Sequence, residues 1–250
     1  MKKVLILVLV GCAVASAWAS DMYVAAAASL TDVMKTIKPL YEKRHPDTKL
    51  MLVYGSTGML RAQVRKGAPC DVFIGADRWF GGAASNMAEV VKTDSVRVVA
   101  ANSLVAVAGK DFVPKGNALA AWLDGTKKIG IGNPVSVPAG RYAKKLLESE
   151  KLWDVCAPKF VLGTNVREVL LWLRQGAVDV GFVYGSDLVA VKDPSLRMLA
   201  EYATPGGTAI ELAGGVAKDA KDPAAALRFL EYLKSPEASK VFKDLGFASR

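Results

Sequence analysis

Residues 22–41 read MYVAAAASLTDVMKTIKPLY, and the pattern of this stretch changes from one typical of an extended segment to one typical of a helix. Residues 22–27 are small, apolar and β-like, whereas residues 29–32 (SLTD) have the S-x-x-D form that begins many helices. Apolar side chains then recur at spacings of three and four residues over 30–41, and Pro46 ends the pattern. The stretch therefore predicts a buried strand followed directly by an amphipathic helix.

The same order of strand and helix recurs along the chain. Strands are predicted at 49–54, 72–75, 96–101, 103–108, 128–132 and 180–184, and helices at 59–66, 141–152 and 166–175. Asp222-Pro223 and Ser235-Pro236 begin two further helices, whose apolar faces we expect to pack on the N-terminal residues. This alternation predicts an α/β fold with largely parallel sheets, in which ligands bind at the carboxyl ends of the strands.

The first residues differ from the rest of the chain. Lys2 and Lys3 precede an apolar run over 4–10 and then small residues up to Ala19, which predicts a signal peptide over residues 1–19. Cys12 ends a Leu-Val-Gly-Cys sequence that also fits a lipid-attachment box, but the apolar run before it is short, so we favour cleavage after Ala19. No later segment approaches the ~20 apolar residues that span a bilayer, so a soluble, periplasmic protein is expected.

Length and charge narrow the class of protein. A chain of 250 residues with 52% hydrophobic and 23% charged residues is long enough for two lobes, each with its own core. The formal net charge of +9 favours anionic partners at long range. The basic residues are scattered and form no block with interleaved aromatic residues, so we expect no nucleic acid partner.

Side chains that carry out catalysis or bind metals are sparse. His45 is the only histidine, and the sequence contains no G-x-S-x-G, C-x-x-C or H-E-x-x-H motif. We therefore expect no enzyme activity, no catalytic residue, no cofactor and no residue that binds a metal cation directly. Cys70 and Cys156 remain after loss of the leader, either as a disulfide or as two unrelated buried thiols, and we favour the thiols.

Hydroxyl-bearing or small residues recur where a strand meets the start of a helix. They are Ser29, Ser56-Thr57, Pro138-Ala139-Gly140 and Asn165-Val166. The first N–H groups of a helix lack intrahelical partners and carry partial positive charge, so several helix starts that converge make an anion site. Each of these residues taken alone is also explained as a helix cap, but four in one chain favour a site.

These junctions belong to five motifs that span the chain after the leader. The motifs are AAAASL at 25–30, GSTG at 55–58, GAPCDVFIGAD at 67–77, VPAGRYA at 137–143 and VYGSD at 183–187. In order and spacing the chain resembles the periplasmic molybdate-binding proteins of ABC importers. The resemblance implies a two-lobed clamshell of the type II periplasmic-binding class, with residues 22–100 and 204–250 in lobe I, residues 103–200 in lobe II, and two strands that cross between them.

The resemblance also implies the function and the residues that bind the ligand. The protein would capture molybdate, and tungstate as well, as a monomer and deliver it to the membrane permease of an ABC importer. The oxyanion would be held by neutral groups: Ser29 and Thr57 from lobe I, and Ala139, Val166 and Tyr184 from lobe II. The family usually has serine where this chain has Thr57, and the extra methyl group is expected to narrow the edge of the pocket.

Three other functions remain open from the residues alone. Sulfate or another tetrahedral oxyanion suits the same neutral donors and differs from molybdate in size. An exported enzyme acting on phosphate or sulfate esters would use the same anion pocket, although no catalytic group is available for it. A sensory clamshell would differ only in its partner.

Overall fold

The computed structural model describes residues 19–77 and 87–248, and the predicted leader with Cys12 lies outside these ranges. The strands are β1 (Ser20–Ala27), β2 (Thr48–Gly55), β3 (Val72–Gly75), β4 (Arg97–Asn102), β5 (Leu104–Ala108), β6 (Ile129–Gly132), β7 (Phe160–Gly163), β8 (Val180–Tyr184), β9 (Arg197–Tyr202) and β10 (Ile210–Val216). The helices are α1 (Thr31–Arg44), α2 (Thr57–Arg65), α3 (Leu119–Asp124), α4 (Pro138–Ser149), α5 (Trp153–Cys156), α6 (Val166–Gln175), α7 (Gly185–Val191), α8 (Pro223–Tyr232) and α9 (Pro236–Asp244).

The strands form two five-stranded sheets, in the orders β2-β1-β3-β10-β4 and β7-β6-β8-β5-β9. In each sheet one strand is reversed: β10 is antiparallel to β3 and β4, and β5 is antiparallel to β8 and β9. The other pairs are parallel. The α/β class is therefore confirmed, but the prediction of largely parallel sheets missed the reversed strand in each sheet.

The chain passes between the two sheets twice. Ser103 alone separates β4 in the first sheet from β5 in the second, and residues 203–209 join β9 back to β10. Each reversed strand is the one that the chain enters after a crossing, which explains its direction. We call the first sheet with its packed helices the first half of the molecule, and the second sheet with its helices the second half.

The helix starts show why two predicted boundaries were late. Helix α4 begins at Pro138, since proline needs no N–H partner in the first turn and its backbone angle already suits a helix. Helix α2 begins at Thr57 because the Ser56 hydroxyl accepts a hydrogen bond from the Met59 N–H at 3.3 Å and so caps the helix. Both helices therefore begin beside the motifs that resemble the binding-protein family.

The C-terminal helices pack on the N-terminal residues, as expected. Helix α8 lies against β10 and α9 against α1. The buried Tyr41 ring of α1 meets the Phe229 ring edge-on at 4.8 Å and the Tyr232 ring at 5.1 Å. Aromatic pairs of this geometry add about 0.5–1.5 kcal/mol beyond their burial.

Cys70 and Cys156 are buried and free, which confirms the interpretation of two unrelated thiols. No helix in the described ranges has the length and apolar character needed to cross a membrane.

Candidate functional site

A small cavity lies where the two halves meet, at the carboxyl ends of β1, β2 and β8. It is lined by residues 27–29, 55–57 and Ala76 from the first half, and by Val137, Pro138, Asn165, Val166 and Tyr184 from the second. Its volume is about 10 Å³, far below the roughly 300–1,000 Å³ of sites for drug-sized ligands. The cavity therefore suits a compact ion.

Two buried hydroxyl groups in this lining have no hydrogen-bond partner. Ser29 and Tyr184 are each 2% exposed, and neither the Ser29 Oγ nor the Tyr184 OH has a hydrogen-bond partner among residues 19–77 and 87–248. A buried hydroxyl without a partner costs about 1–3 kcal/mol, so such groups are normally satisfied. One hydroxyl from each half thus lies beside the same cavity with its hydrogen-bonding capacity unused.

The Tyr184 phenol is restricted to the role of a donor towards an anion. Burial raises its pKa well above the ordinary value, and the nearby Tyr142 and Asp77 add to the shift. The phenol therefore stays protonated at any physiological pH and can donate its O–H to a hydrogen bond.

Thr57 is oriented by a hydrogen bond inside the first half. Its buried Oγ1 accepts from the Ala76 N–H at 3.1 Å, which leaves the hydroxyl proton free to be donated. Its methyl group lies over Gly75, close to where a Cβ on that glycine would be, and Gly75 is outside the cavity lining. Thr57 itself lines the cavity, and the effect of its methyl group on the pocket edge stays a prediction.

Helix starts supply further donors from the second half. Val166 is the first residue of α6, and the Asn165 side chain caps that helix by accepting from the Arg167 N–H at 2.9 Å and the Glu168 N–H at 3.1 Å. The Val166 N–H has no intrahelical acceptor at this position. It lies at the cavity together with the partial positive charge of the helix end.

The start of α4 approaches the cavity through Val137 and Pro138, whereas Ala139, fully buried beside them, is not part of the lining itself. Gly140 explains how this helix start comes so close to β6. A Cβ on Gly140 would lie 1.8 Å from the Gly132 oxygen, so only glycine permits the approach. The structure thus brings together Ser29, Thr57, Val166 and Tyr184 and leaves Ala139 one residue behind the wall.

Charged side chains surround the site without lining it. Arg141 of α4 pairs with the buried Asp77 of the first half, and Arg167 of α6 pairs with Asp32 of the first half and with Asp187 of its own half. Each arginine is balanced by carboxylates, so neither lines the cavity as a free cation. Burial raises the pKa of Asp187 to about 6, and the Arg167 charge opposes that shift.

The residues that join the two halves were missed from the sequence. Gly58 donates its N–H to the Ser136 carbonyl oxygen at 2.9 Å across the cleft, and the two arginine pairs also cross it. One signal was present for Arg167: a basic residue at the second position of a helix opposes the helix dipole, which suggests another reason for its presence. No local pattern pairs Gly58 with Ser136, which lies 78 positions further along the chain.

Comparison with known proteins adds the family. Residues 22–248 match the family model described as bacterial extracellular solute-binding protein. The chain is 35% identical over 90% of its length to the putative ABC transporter substrate-binding lipoprotein YvgL of Bacillus subtilis, covering 85% of it. It is 33% identical over 89% of its length to the molybdate-binding protein ModA of Escherichia coli, covering 86% of that protein.

A solved structure agrees with these sequence relatives. The substrate-binding domain of a putative molybdenum ABC transporter from Clostridium difficile superposes with a TM-score of 0.67 and 32% identity. The alignment covers 92% of this chain and 99% of that domain. The shared fold therefore includes both sheets and the cleft between them.

Proposed function

Because the chain belongs to the family of bacterial extracellular solute-binding proteins, we propose that it captures molybdate outside the cytoplasm and delivers it to an ABC importer. The unpaired Ser29 and Tyr184 hydroxyls, one from each half and both beside one small cavity, carry this proposal. An anion bound between them satisfies both groups at once and joins the two halves.

Neutral donors are sufficient to hold a dianion here. The proposed set consists of the hydroxyls of Ser29, Thr57 and Tyr184 and the backbone N–H groups of Ser29, Thr57, Val166 and, just behind the lining, Ala139. A hydrogen bond to a charged group contributes about 1.5–3 kcal/mol, so about six such bonds offset the desolvation of the ion. Binding below 1 µM, which corresponds to about −8 kcal/mol, is then within reach.

The donor set favours an oxyanion that carries no proton. Backbone N–H groups only donate, and a lone pair of the Thr57 hydroxyl is already engaged by the Ala76 N–H. A proton on a bound phosphate would therefore find few acceptors, whereas molybdate, tungstate and sulfate are fully ionised at neutral pH. Size then separates molybdate from sulfate, because Mo–O bonds are longer than S–O bonds.

The further details of the proposal concern partners and location. The family is described as extracellular, so the chain acts outside the cytoplasm. We propose that residues 1–19 direct export to the periplasm, with Cys12 as the alternative site of a lipid anchor. We propose that the monomer also binds tungstate, and that lobe I (22–100 and 204–250) and lobe II (103–200) close on the ion to present one surface to the permease.

Isothermal titration of the ligand-stripped mature protein with molybdate, tungstate, sulfate and phosphate tests the proposal. We expect one-to-one binding of molybdate and tungstate below 1 µM and no heat from sulfate or phosphate. Tight sulfate or phosphate binding would assign the protein to a different importer. The absence of binding to all four ions would refute oxyanion capture.

A further inference from the structure

Arg167 of α6 contacts three residues that lie next to, or carry, proposed ligand groups. The Arg167 Nη1 lies 2.8 Å from the Asp32 Oδ2, its Nη2 donates to the Ser29 carbonyl oxygen at 3.3 Å, and its Nε lies 2.8 Å from the Asp187 Oδ1. Asp32 and Ser29 belong to the first half, whereas Asp187 belongs to the second. The guanidinium group therefore spans the cleft.

Each residue that Arg167 contacts is close in the chain, or hydrogen-bonded, to a residue that lines the cavity. The Ser29 carbonyl belongs to the same residue as the unpaired hydroxyl, and Asp32 follows three positions later in the first turn of α1. The other oxygen of Asp187, Oδ2, accepts the Tyr184 N–H at 3.0 Å. Val166 immediately precedes Arg167 in the first turn of α6. A shift of the arginine backbone would therefore also move the Val166 N–H.

We propose that Arg167 is a positioning residue that couples closure of the cleft to the alignment of Ser29, Val166 and Tyr184 on the bound oxyanion. This inference rests on the proposed function. Arg167 does not itself bind the ion, since it is not part of the cavity lining and its charge is balanced by two carboxylates.

The geometry gives the two sides of Arg167 different roles. Its ion pair with the fully buried Asp187 lies within the second half, so we expect the pair to persist when the halves separate and to keep the guanidinium group near Asp187. Its contacts to Asp32 and to the Ser29 carbonyl cross the cleft, so they form only on closure. Interactions that exist only in the closed state stabilise the ligand-bound form over the open one.

Arginine is required for this arrangement because its planar fork presents several N–H groups in fixed directions. A lysine at position 167 has one ammonium group and cannot reach Asp32, the Ser29 carbonyl and Asp187 together. We therefore expect Arg167→Lys to restore only part of what a neutral residue loses.

The test compares Arg167→Gln, Arg167→Lys, Asp32→Asn and the double variant Arg167→Gln/Asp32→Asn with the wild type. Arg174→Gln is the matched control, because Arg174 lies on the same helix and pairs with Asp193 at 2.9 Å within one half. Molybdate affinity is measured by titration calorimetry, dissociation rates by stopped-flow tryptophan fluorescence, and the Tm without ligand by calorimetry.

We expect Arg167→Gln to raise the Kd of molybdate about tenfold to a hundredfold, chiefly through faster dissociation. Asp32→Asn should raise the Kd about fivefold, and the double variant should bind no more weakly than Arg167→Gln alone, because both changes remove one shared contact. Arg174→Gln should match the wild type. A role in folding alone would instead lower the ligand-free Tm without this coupling between positions 32 and 167.

Several outcomes would overturn the inference. Wild-type affinity in Arg167→Gln would remove Arg167 from the site, and additive effects of the two changes would disprove the coupling. If Arg167→Gln fails to fold, Asp32→Asn alone decides, because unchanged molybdate dissociation in that variant refutes the contact across the cleft. Failure of the wild type to bind any tetrahedral oxyanion would refute the proposed function, and the inference would fall with it.

Discussion

Replacing Gly58 by alanine should weaken ligand binding while it leaves the ligand-free protein at least as stable. Gly58 is the second residue of α2, and a Cβ there would lie 2.7 Å from the Ser136 oxygen and 2.8 Å from the Ser136 Cα. Both atoms are backbone atoms of the opposite half, so no side chain can move aside to make room. The added methyl group therefore acts as a wedge in the cleft.

The size of the effect follows from these distances. Restoring an ordinary contact of about 3.4 Å requires the two backbones to separate by about 0.7 Å. The hydrogen bond from the Gly58 N–H to the Ser136 oxygen, now 2.9 Å, would lengthen beyond hydrogen-bond range. Its loss costs about 0.5–1.5 kcal/mol, and the stretched bonds to the ion add to that, so the Kd should rise about tenfold to a hundredfold.

The open form should respond in the opposite direction. Alanine in place of glycine within a helix stabilises it by about 0.5–1 kcal/mol, and the wedge meets nothing when the halves are apart. The Tm of ligand-free Gly58→Ala should therefore equal or exceed that of the wild type. Loss of affinity combined with unchanged or higher Tm distinguishes blocked closure from misfolding.

The assay is molybdate titration by calorimetry, together with thermal unfolding with and without the ion. Gly125→Ala is the control, since the nearest atom to a Cβ there is 3.8 Å away, at the end of α3. We expect that variant to bind like the wild type. Wild-type affinity in Gly58→Ala would refute the argument that the closed cleft requires a glycine at this position.

Three further predictions concern the cavity and its surroundings. Ser29→Ala and Tyr184→Phe should each raise the molybdate Kd about tenfold to a hundredfold, because each removes a hydrogen-bond donor to the ion. Neither change should lower the ligand-free Tm, because each hydroxyl is unpaired without the ion. A fall in Tm would show that the hydroxyl has a partner in the protein. Thr57→Ser should keep the molybdate Kd within about threefold of the wild-type value, because the lost methyl group lies over Gly75. A larger change of Kd in the titration would show that the methyl group contacts the ion. Burial raises the pKa of Asp187 from 3.8 to about 6, so the stability that its protonation provides is complete below about pH 4 and is lost as the pH rises through about 6. The free energy of unfolding of the wild type relative to Asp187→Asn should therefore fall by up to about 3 kcal/mol over that interval in denaturant titrations, and a constant difference would contradict the shift.

Local patterns were enough to find most elements of the fold. The spacing of apolar residues predicts α6 at the bounds that the structure has, and the same holds for β8 and β3. Most other boundaries differ by one to three residues. At the helix starts Thr57 and Pro138, a cap or a proline at the first position extends the helix by two or three residues. Helix caps and first-turn prolines depend only on residues within one turn of the helix start, so a sequence is enough to identify them.

The sequence by itself determined the α/β class, the resemblance to a family, and four residues that the structure brings to one cavity: Ser29, Thr57, Val166 and Tyr184. These residues stand at strand-to-helix junctions, where unpaired N–H groups and hydroxyls occur for local reasons.

Only the tertiary structure decided how the two halves meet. The partners of Gly58 and Arg167 lie 78 and 135 positions away, at Ser136 and Asp32, and no local pattern relates such residues. The reversed strands in both sheets likewise follow from the two crossings of the chain. Contacts across a cleft depend on the path of the whole backbone, so they become visible only when the fold is complete.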